Sequence, residues 1–373
     1  MKADFELDDS IIYLNHAAVS PWPIRTAETV ASFARENSIY GATRYPGWMQ
    51  VESELRQRLA RLINAPAVDD ISILKSTSEA LSVIAYGIDW QRGDNVVIFR
   101  QEFPSNRVVW ESLQSLGVET RLVDLWSGEN PEQRLLAACD ECTRIVSVSS
   151  VQYATGFRTD LEILGRFCRR ENILFCVDAI QSLGAIPFDV QKIQADFVVA
   201  DGHKWMFGPE GTALFYSRRE IRDRLALNQF GWHMVKHPGD YSRENWEVSE
   251  TGTRFECGSP NMLGVHALNA SLGLIEQTGI HNIHRNVISN SRFLMGLIQQ
   301  RKDRLSLLSV EESERLSGIV TFKVNNADQQ EVYRSLMAQG VICASRGGGI
   351  RFSPHFYTTR EKIEKAVEVT LQI

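Results

Sequence analysis

Short runs of β-branched and aromatic residues recur along the first part of the chain. They read "ISIL" at 71, "NVVIF" at 95, "TRLV" at 120, "RIVSVSS" at 144, "ILFCVDA" at 173, "DFVVADG" at 196 and "TALFYS" at 212. Most are apolar almost throughout rather than alternating, the pattern of strands buried on both faces. Between most of them the apolar positions shift to helical spacing: Val51, Leu55, Leu59, Leu62 and Ile63 within 51–64, and Leu161, Leu164, Phe167 and Cys168 within 160–171. Strands alternating with helices in this way predict an α/β fold built on a mainly parallel sheet with helices on both faces.

Beyond residue 262 the pattern changes. An amphipathic stretch over 263–301 leads to "RLSLLS", a strand-like "GIVTFKV" at 318, a helical segment at 329–339 and "VICAS" at 341, which together predict a smaller α+β domain. The expected division is a large domain over 17–262 and a small one made of 1–16 and 263–373. The segment 231–255, "GWHMVKHPGDYSRENWEVSETGTRF", has no period and is rich in glycine, polar groups and aromatics, so it is expected to be a long ordered loop beside a site.

Composition narrows the partners. The 373 residues are 43% apolar and 23% charged with a net charge of -6, which offers no basic footprint for nucleic acid or anionic membrane. No apolar run approaches the roughly 20 residues that span a bilayer, and "MKADFELDDS" is too acidic and polar for a signal peptide. A cytoplasmic protein with a small-molecule partner is expected. Six scattered cysteines fit a reducing compartment, and the single CxxC at Cys139 and Cys142 lacks the second ligand pair of a zinc site. His281 and His284 read as a polar helix face, and no metal is expected.

Ligands of open α/β sheets sit at the carboxyl ends of the strands. Three of those ends carry chemistry: Asp178 with Gln181 after "ILFCV", Asp201, His203 and Lys204 after "DFVVA", and Ser76, Thr77 and Ser78 after "ISIL". Each has an ordinary reading. Asp178 could cap a helix, Ser76 and Glu79 form a capping box by themselves, and Lys204 could reach the surface along its own aliphatic stem. Together they fit pyridoxal phosphate: hydroxyls at a helix N-terminus for a phosphate, a carboxylate for a protonated ring nitrogen, and an amine that condenses with an aldehyde.

These motifs, with "GHKW" and "GPEG", "RFECGSPN" and "GGGIRFSPHF", resemble the class V aminotransferase family, which includes cysteine desulfurases, selenocysteine lyases, kynureninases and isopenicillin N epimerase-like enzymes. The resemblance runs from "YLNHAAVS" at 13 to "SPHFYTTREKIEKAV" at 353. It implies a three-layer large domain of the pyridoxal phosphate transferase type with a seven-stranded sheet. It also implies roles. Lys204 would bind the cofactor aldehyde and move the substrate Cα proton, Asp178 would face the ring nitrogen, and Gln181 the phenolic oxygen. Thr77, Ser78 and His203 would hold the phosphate beside Asp201, where some relatives carry serine, and Phe103 would stack on the ring. Arg351 would pair with the substrate carboxylate near Gln152 and Arg346. Ser259 would reach the phosphate of a neighbouring subunit, so a homodimer with shared active sites is expected.

The reaction is read from an omission. Persulfide-forming desulfurases carry a mobile cysteine shortly before the carboxylate-binding arginine, and "SRGGGIRF" has none. Cys343 lies in the apolar "VICAS", which reads as a buried strand, and Cys257 precedes a different segment. The leading expectation is therefore β-elimination by a carbon-sulfur lyase acting on cysteine, cystine or a cysteine conjugate. Transamination, epimerisation and a desulfurase using an atypical thiol acceptor are the alternative enzyme readings. A cofactor-binding partner protein without turnover is the non-enzymatic one.

Overall fold

The computed structural model describes residues 4–373, so positions 1–3 of the expected small-domain segment 1–16 lie outside the described residues. All seven expected strands form one sheet, in the order Ile71–Leu74, Ala213–Ser217, Phe197–Asp201, Leu174–Asp178, Thr143–Ser149, Asn95–Phe99, Glu119–Val123. Only Ala213–Ser217 runs against its neighbours, and the other pairings are parallel. Alternate side chains leave the two faces of each strand. Phe175 and Val177 thus join the core on one side with Val146, Val148 and Val198, while Cys176, Ile145, Phe197 and Val199 join the core on the other. Each large side chain so buried contributes about 1.5–3 kcal/mol, which is why near-continuous apolar runs are required here.

Register brings the chemistry to one edge. Ser149 lies opposite Asp178, Asp178 opposite Val199, and both Asp201 and Leu74 opposite Ala213. The residues that follow Leu74, Asp178 and Asp201 therefore emerge together.

The helix predicted over 51–64 spans Tyr45–Leu62, and the one predicted over 160–171 spans Leu161–Arg170, N-capped by Asp160. The stretch 263–301 is two helices, Met262–Thr278 and Ile280–Gln299, because Gly279 at φ 80° ends the first and starts the second. A four-stranded antiparallel sheet follows, in the order Ala344–Arg346, Gly349–Phe352, Val320–Val324, Leu305–Leu307, with a core of its own that includes Phe322, Phe352, Leu294 and Ile363. "VICAS" is broken at Cys343. Val341–Ile342 pairs in parallel with Ile12–Tyr13, and Ala344–Arg346 enters the small sheet. The segment 231–255 is irregular apart from one bridge between Val235 and Val248 and a 3-10 turn at Gly252–Phe255. Among the described residues no helix is long and apolar enough to cross a membrane.

Candidate active site

The strand edge opens into a cavity of about 320 Å³ lined by Thr77, Ser78, Phe103, Asp178, Gln181, Asp201, His203, Lys204, Arg346 and Arg351, among others. Ten of the twelve residues expected at the site are thus brought together by six separate segments.

At one end the helix Thr77–Gly87 begins. Ser76 Oγ caps it by accepting from the Glu79 N–H at 3.2 Å, while Glu79 accepts from the N–H of Lys75, one residue earlier than the usual reciprocal partner. Thr77 Oγ1 accepts from the Asp201 N–H at 3.1 Å, which ties this helix start to the strand end that precedes Lys204. Ser78 Oγ donates to Ser105 Oγ at 2.8 Å. Hydroxyls, free N–H groups and the positive end of the helix dipole converge there, a combination suited to an anion.

On the floor, the Asp178 carboxylate is buried and accepts from the Ile180 N–H at 3.0 Å. Burial raises it to about 6, opposed by that hydrogen bond and by Lys204. Lys204 is also buried, and burial lowers its amine to about 8, opposed chiefly by Asp178. Its Nζ stands 5.4 Å from the centre of the Phe103 ring. The lysine is held by a tight turn, with Phe207 N–H donating to the Lys204 carbonyl at 3.1 Å and Gly208 N–H to the Gly202 carbonyl at 2.8 Å. Phe207 itself is left-handed at φ 58°, a strain of about 1–2 kcal/mol that its full burial against His355, 4.3 Å between ring centres, holds in place. Gly184 lets the turn after Asp178 close on this segment, since a Cβ there would lie 2.2 Å from the Trp205 carbonyl. Gln181 spans both pieces: its Nε2 donates to the Ala17 carbonyl at 3.0 Å and its Oε1 accepts from Trp205 Nε1 at 2.8 Å.

Asp201 Oδ1 and His203 Nδ1 are 3.0 Å apart, yet neither atom makes a hydrogen bond of acceptable geometry although both are buried. They are spare polar atoms beside the hydroxyl-rich end.

Opposite, the small sheet supplies Arg351. It is 2% exposed, its Nη1 donates to the Tyr153 carbonyl at 2.6 Å, and its Nε is buried without a partner. Burial lowers it to about 10, and Arg346 adds to the effect. Among the described residues no carboxylate comes within 4.0 Å of Lys204 or Arg351. A buried guanidinium without an anion carries a desolvation cost that an incoming carboxylate would offset. Arg346 is exposed at the rim, with Nη1 on the Ser345 carbonyl.

Two expected residues stand apart. Gln152 does not line the cavity: its Oε1 accepts from the N–H groups of Ala154 and Thr155 and its Nε2 donates to the Gln101 carbonyl, so the amide builds a turn. Ser259 is exposed and away from this chain's own cavity. Trp232, Tyr241 and Trp246 of the 231–255 loop also lie outside the cavity and are exposed, while Trp48 packs on Phe33 and Tyr45.

The residues missed in the sequence include Tyr153, which meets Phe103 edge-on at 5.1 Å, and Glu102. Glu102 is buried below the floor, accepting from Ser149 N–H at 2.8 Å, from Ser149 Oγ, and from Asn106 Nδ2 at 3.0 Å. Burial raises it to about 7, and Asp178 contributes. His16, beside the lining residue Ala17, joins the two halves by bridging the Ser353 carbonyl and the Tyr357 hydroxyl, each at 2.8 Å. Adjacency to Gln152 and Phe103 was the only signal for Tyr153 and Glu102.

The residues present fit pyridoxal phosphate: an anion site, a carboxylate and an amine on one floor, an aromatic above the amine, and an unpaired buried arginine facing them. Comparison with known proteins agrees. A probable cysteine desulfurase of Methanothermobacter thermautotrophicus is 29% identical over 398 residues, covering 100% of this chain and 97% of that protein. The apo structure of a cysteine desulfurase from Thermococcus onnurineus NA1 superposes with a TM-score of 0.88 at 24% identity, covering 98% of this chain and 94% of the other. A cystine C-S lyase in complex with its product cysteine persulfide gives 0.89 at 21% identity, covering 97% and 98%. These structural likenesses show the fold. The sequence profile described as Aminotransferase class-V matches residues 12–366, and the chain belongs to that family of enzymes.

Proposed function

We propose that this chain binds pyridoxal phosphate at Lys204 and uses it to break the Cβ–S bond of cysteine, cystine or a cysteine conjugate by β-elimination. The observation that carries the reading is the buried pair of Lys204 and Asp178 facing Arg351, a cation with no carboxylate of its own. When bound, the cofactor supplies an aldehyde that condenses with amines and a ring that withdraws electrons from the substrate Cα.

The chain supplies the rest. Thr77, Ser78, His203 and the N–H groups of the helix start bind the phosphate, and Phe103 packs on the ring. Asp178 holds a proton on the ring nitrogen, which keeps the ring electron-withdrawing. Arg351 grips the substrate carboxylate and so orients the Cα–H bond toward Lys204. Lys204, buried on the same floor, would take the Cα proton. Its lowered basicity keeps a sizeable neutral fraction near neutral pH. The Cβ–S bond then breaks, and the electron pair leaves with sulfur. Addition of water to the three-carbon product releases pyruvate and ammonia, so the net change is conjugate plus water to pyruvate, ammonia and a thiol.

The absence of a thiol in the cavity supports elimination without an enzyme persulfide. Among the described residues no cysteine lines it, and Cys343 is 1% exposed with its thiol pushed up to about 12 by burial. The second reading, sulfur transfer from cysteine to an external thiol acceptor, is favoured by the desulfurase relative at 29% identity. The shared fold does not choose between them. Arg346 at the rim serves either substrate, Gln152 supports Phe103 through its turn, and Ser259 serves a second copy in a homodimer with shared sites. We place the domain boundary at 262, with the described residues 4–16 joining the small domain.

Anaerobic incubation with cysteine, cystine and S-alkyl cysteines, with no 2-oxo acid and no added thiol, tests the reading. Pyruvate and ammonia in equal amounts are expected. In parallel incubations, alanine with sulfide formed only when a thiol is added would establish desulfuration instead, and amino transfer to an added 2-oxo acid would establish transamination.

A further inference from the structure

Outside the cavity that holds Lys204, the neck of the 231–255 loop is tied by charged side chains that the proposed reaction does not use. Glu52 and Arg56 stand one turn apart on the helix Tyr45–Leu62, while His233 and Glu256 flank the two ends of the loop. All four are buried, with exposures of 4, 9, 6 and 6%. The two ends are pinned together: the His233 N–H points to the Cys257 carbonyl at 3.5 Å, and a Cβ on Gly231 would lie 2.1 Å from that same carbonyl.

Arg56 holds three of the four carboxylate oxygens. Its Nη2 donates to Glu52 Oε1 at 2.7 Å and to Glu256 Oε2 at 3.0 Å, and its Nη1 donates to Glu256 Oε1 at 2.6 Å and to the Ile71 carbonyl at 2.7 Å. The Ile73 N–H adds a bond to Glu256 Oε1 at 2.8 Å. Two atoms are left over. Glu52 Oε2 and His233 Nδ1 are buried with no hydrogen-bond partner. Two carboxylates against one guanidinium also leave this buried cluster with an excess of negative charge, a costly arrangement.

A cation held by the three side chains would give both of these atoms a partner. A ligand atom from each of Glu52, His233 and Glu256 lies within 4.8 Å of the other two. His233 Nδ1 is 3.7 Å from Glu256 Oε2, too long for a hydrogen bond. It is close to the edge of about 3.4 Å that separates ligands around a tetrahedral ion with bonds of 2.0–2.1 Å. We propose that Glu52, His233 and Glu256 bind one divalent cation of the zinc class, with water as the fourth ligand, and that this ion closes the neck of the loop. Arg56 then acts as the outer hydrogen-bonding group that orients both carboxylate ligands.

The test uses the full chain loaded with pyridoxal phosphate, stripped with a chelator and desalted. Titration with Zn²⁺, with bound metal measured by plasma mass spectrometry, should give one equivalent per chain. Separate Glu52→Gln and His233→Asn variants, checked for folding by circular dichroism, should each weaken that binding at least tenfold. Co²⁺ requires no variant: it should give visible d–d absorption of nitrogen and oxygen ligands without a thiolate charge-transfer band. Zinc should also slow proteolytic cleavage within 231–255 relative to the stripped protein. Absence of stoichiometric binding, undiminished affinity in a folded variant, a thiolate band pointing to Cys139 or Cys142, or equal cleavage rates with and without metal would each overturn the proposal.

Discussion

The strand-end floor and the 231–255 loop are both rich in polar and aromatic residues, and they are built on opposite terms. On the floor, Asp178 and Lys204 are fixed by turns a few residues long, next to strands whose register sets their position. In the loop, Trp232, Tyr241 and Trp246 are 38, 81 and 57% exposed, and the segment is tied by its neck and by one bridge between Val235 and Val248. Chemistry needs groups placed to within a fraction of an ångström, and only the first kind of construction supplies that.

Substitutions across the two regions should separate them, and the largest effect belongs to the floor. Lys204→Ala removes the amine that moves the Cα proton, so turnover of any active substrate should fall by about 10³-fold or more, measured as pyruvate release with folding verified by circular dichroism. Arg351→Ala should come next, costing about 2–5 kcal/mol in kcat/KM through loss of the buried carboxylate grip. Arg351→Lys should recover only part of this, since a point charge cannot reproduce the two-donor fork.

Below the floor, Glu102 should show itself through pH. Its acid is raised from 4.5 to about 7 by burial, so the folded chain favours its protonated form. That contribution is complete below 4.5 and is lost as pH rises to 7, a change of about 3 kcal/mol. In urea unfolding of the cofactor-free chain, the stability of Glu102→Gln relative to the parent should therefore rise by about that amount between pH 4.5 and 7. A constant difference would show that Glu102 is not held neutral. The smallest effect belongs to the loop tip: Tyr241→Ala should change stability by no more than about 0.5 kcal/mol, read by the same unfolding curves.

What the sequence made legible follows the same division. Seven strands were readable because burial on both faces demands continuous apolar runs, and the residues after Leu74, Asp178 and Asp201 followed from where such strands end. Arg351 was reachable only through family resemblance, because it enters from the small sheet and nothing near it in sequence refers to the floor. Glu102 was missed because nothing beside it in sequence marks a buried carboxylate, and its partner Ser149 is 47 residues away. Gln152 was expected near the substrate carboxylate, but its amide is consumed by the turn 152–155. The pairing of Glu52 and His233 with Glu256 had no local signal at all, since it joins three segments with no shared period.

The central claim is that Lys204 is the amine that holds the cofactor aldehyde. Borohydride reduction of the pyridoxal phosphate-loaded protein, followed by peptide mass mapping, tests it most directly. The phosphopyridoxyl mass should be found on the peptide containing Lys204 at close to one per chain. A label confined to another lysine, or none on any lysine, would contradict the account.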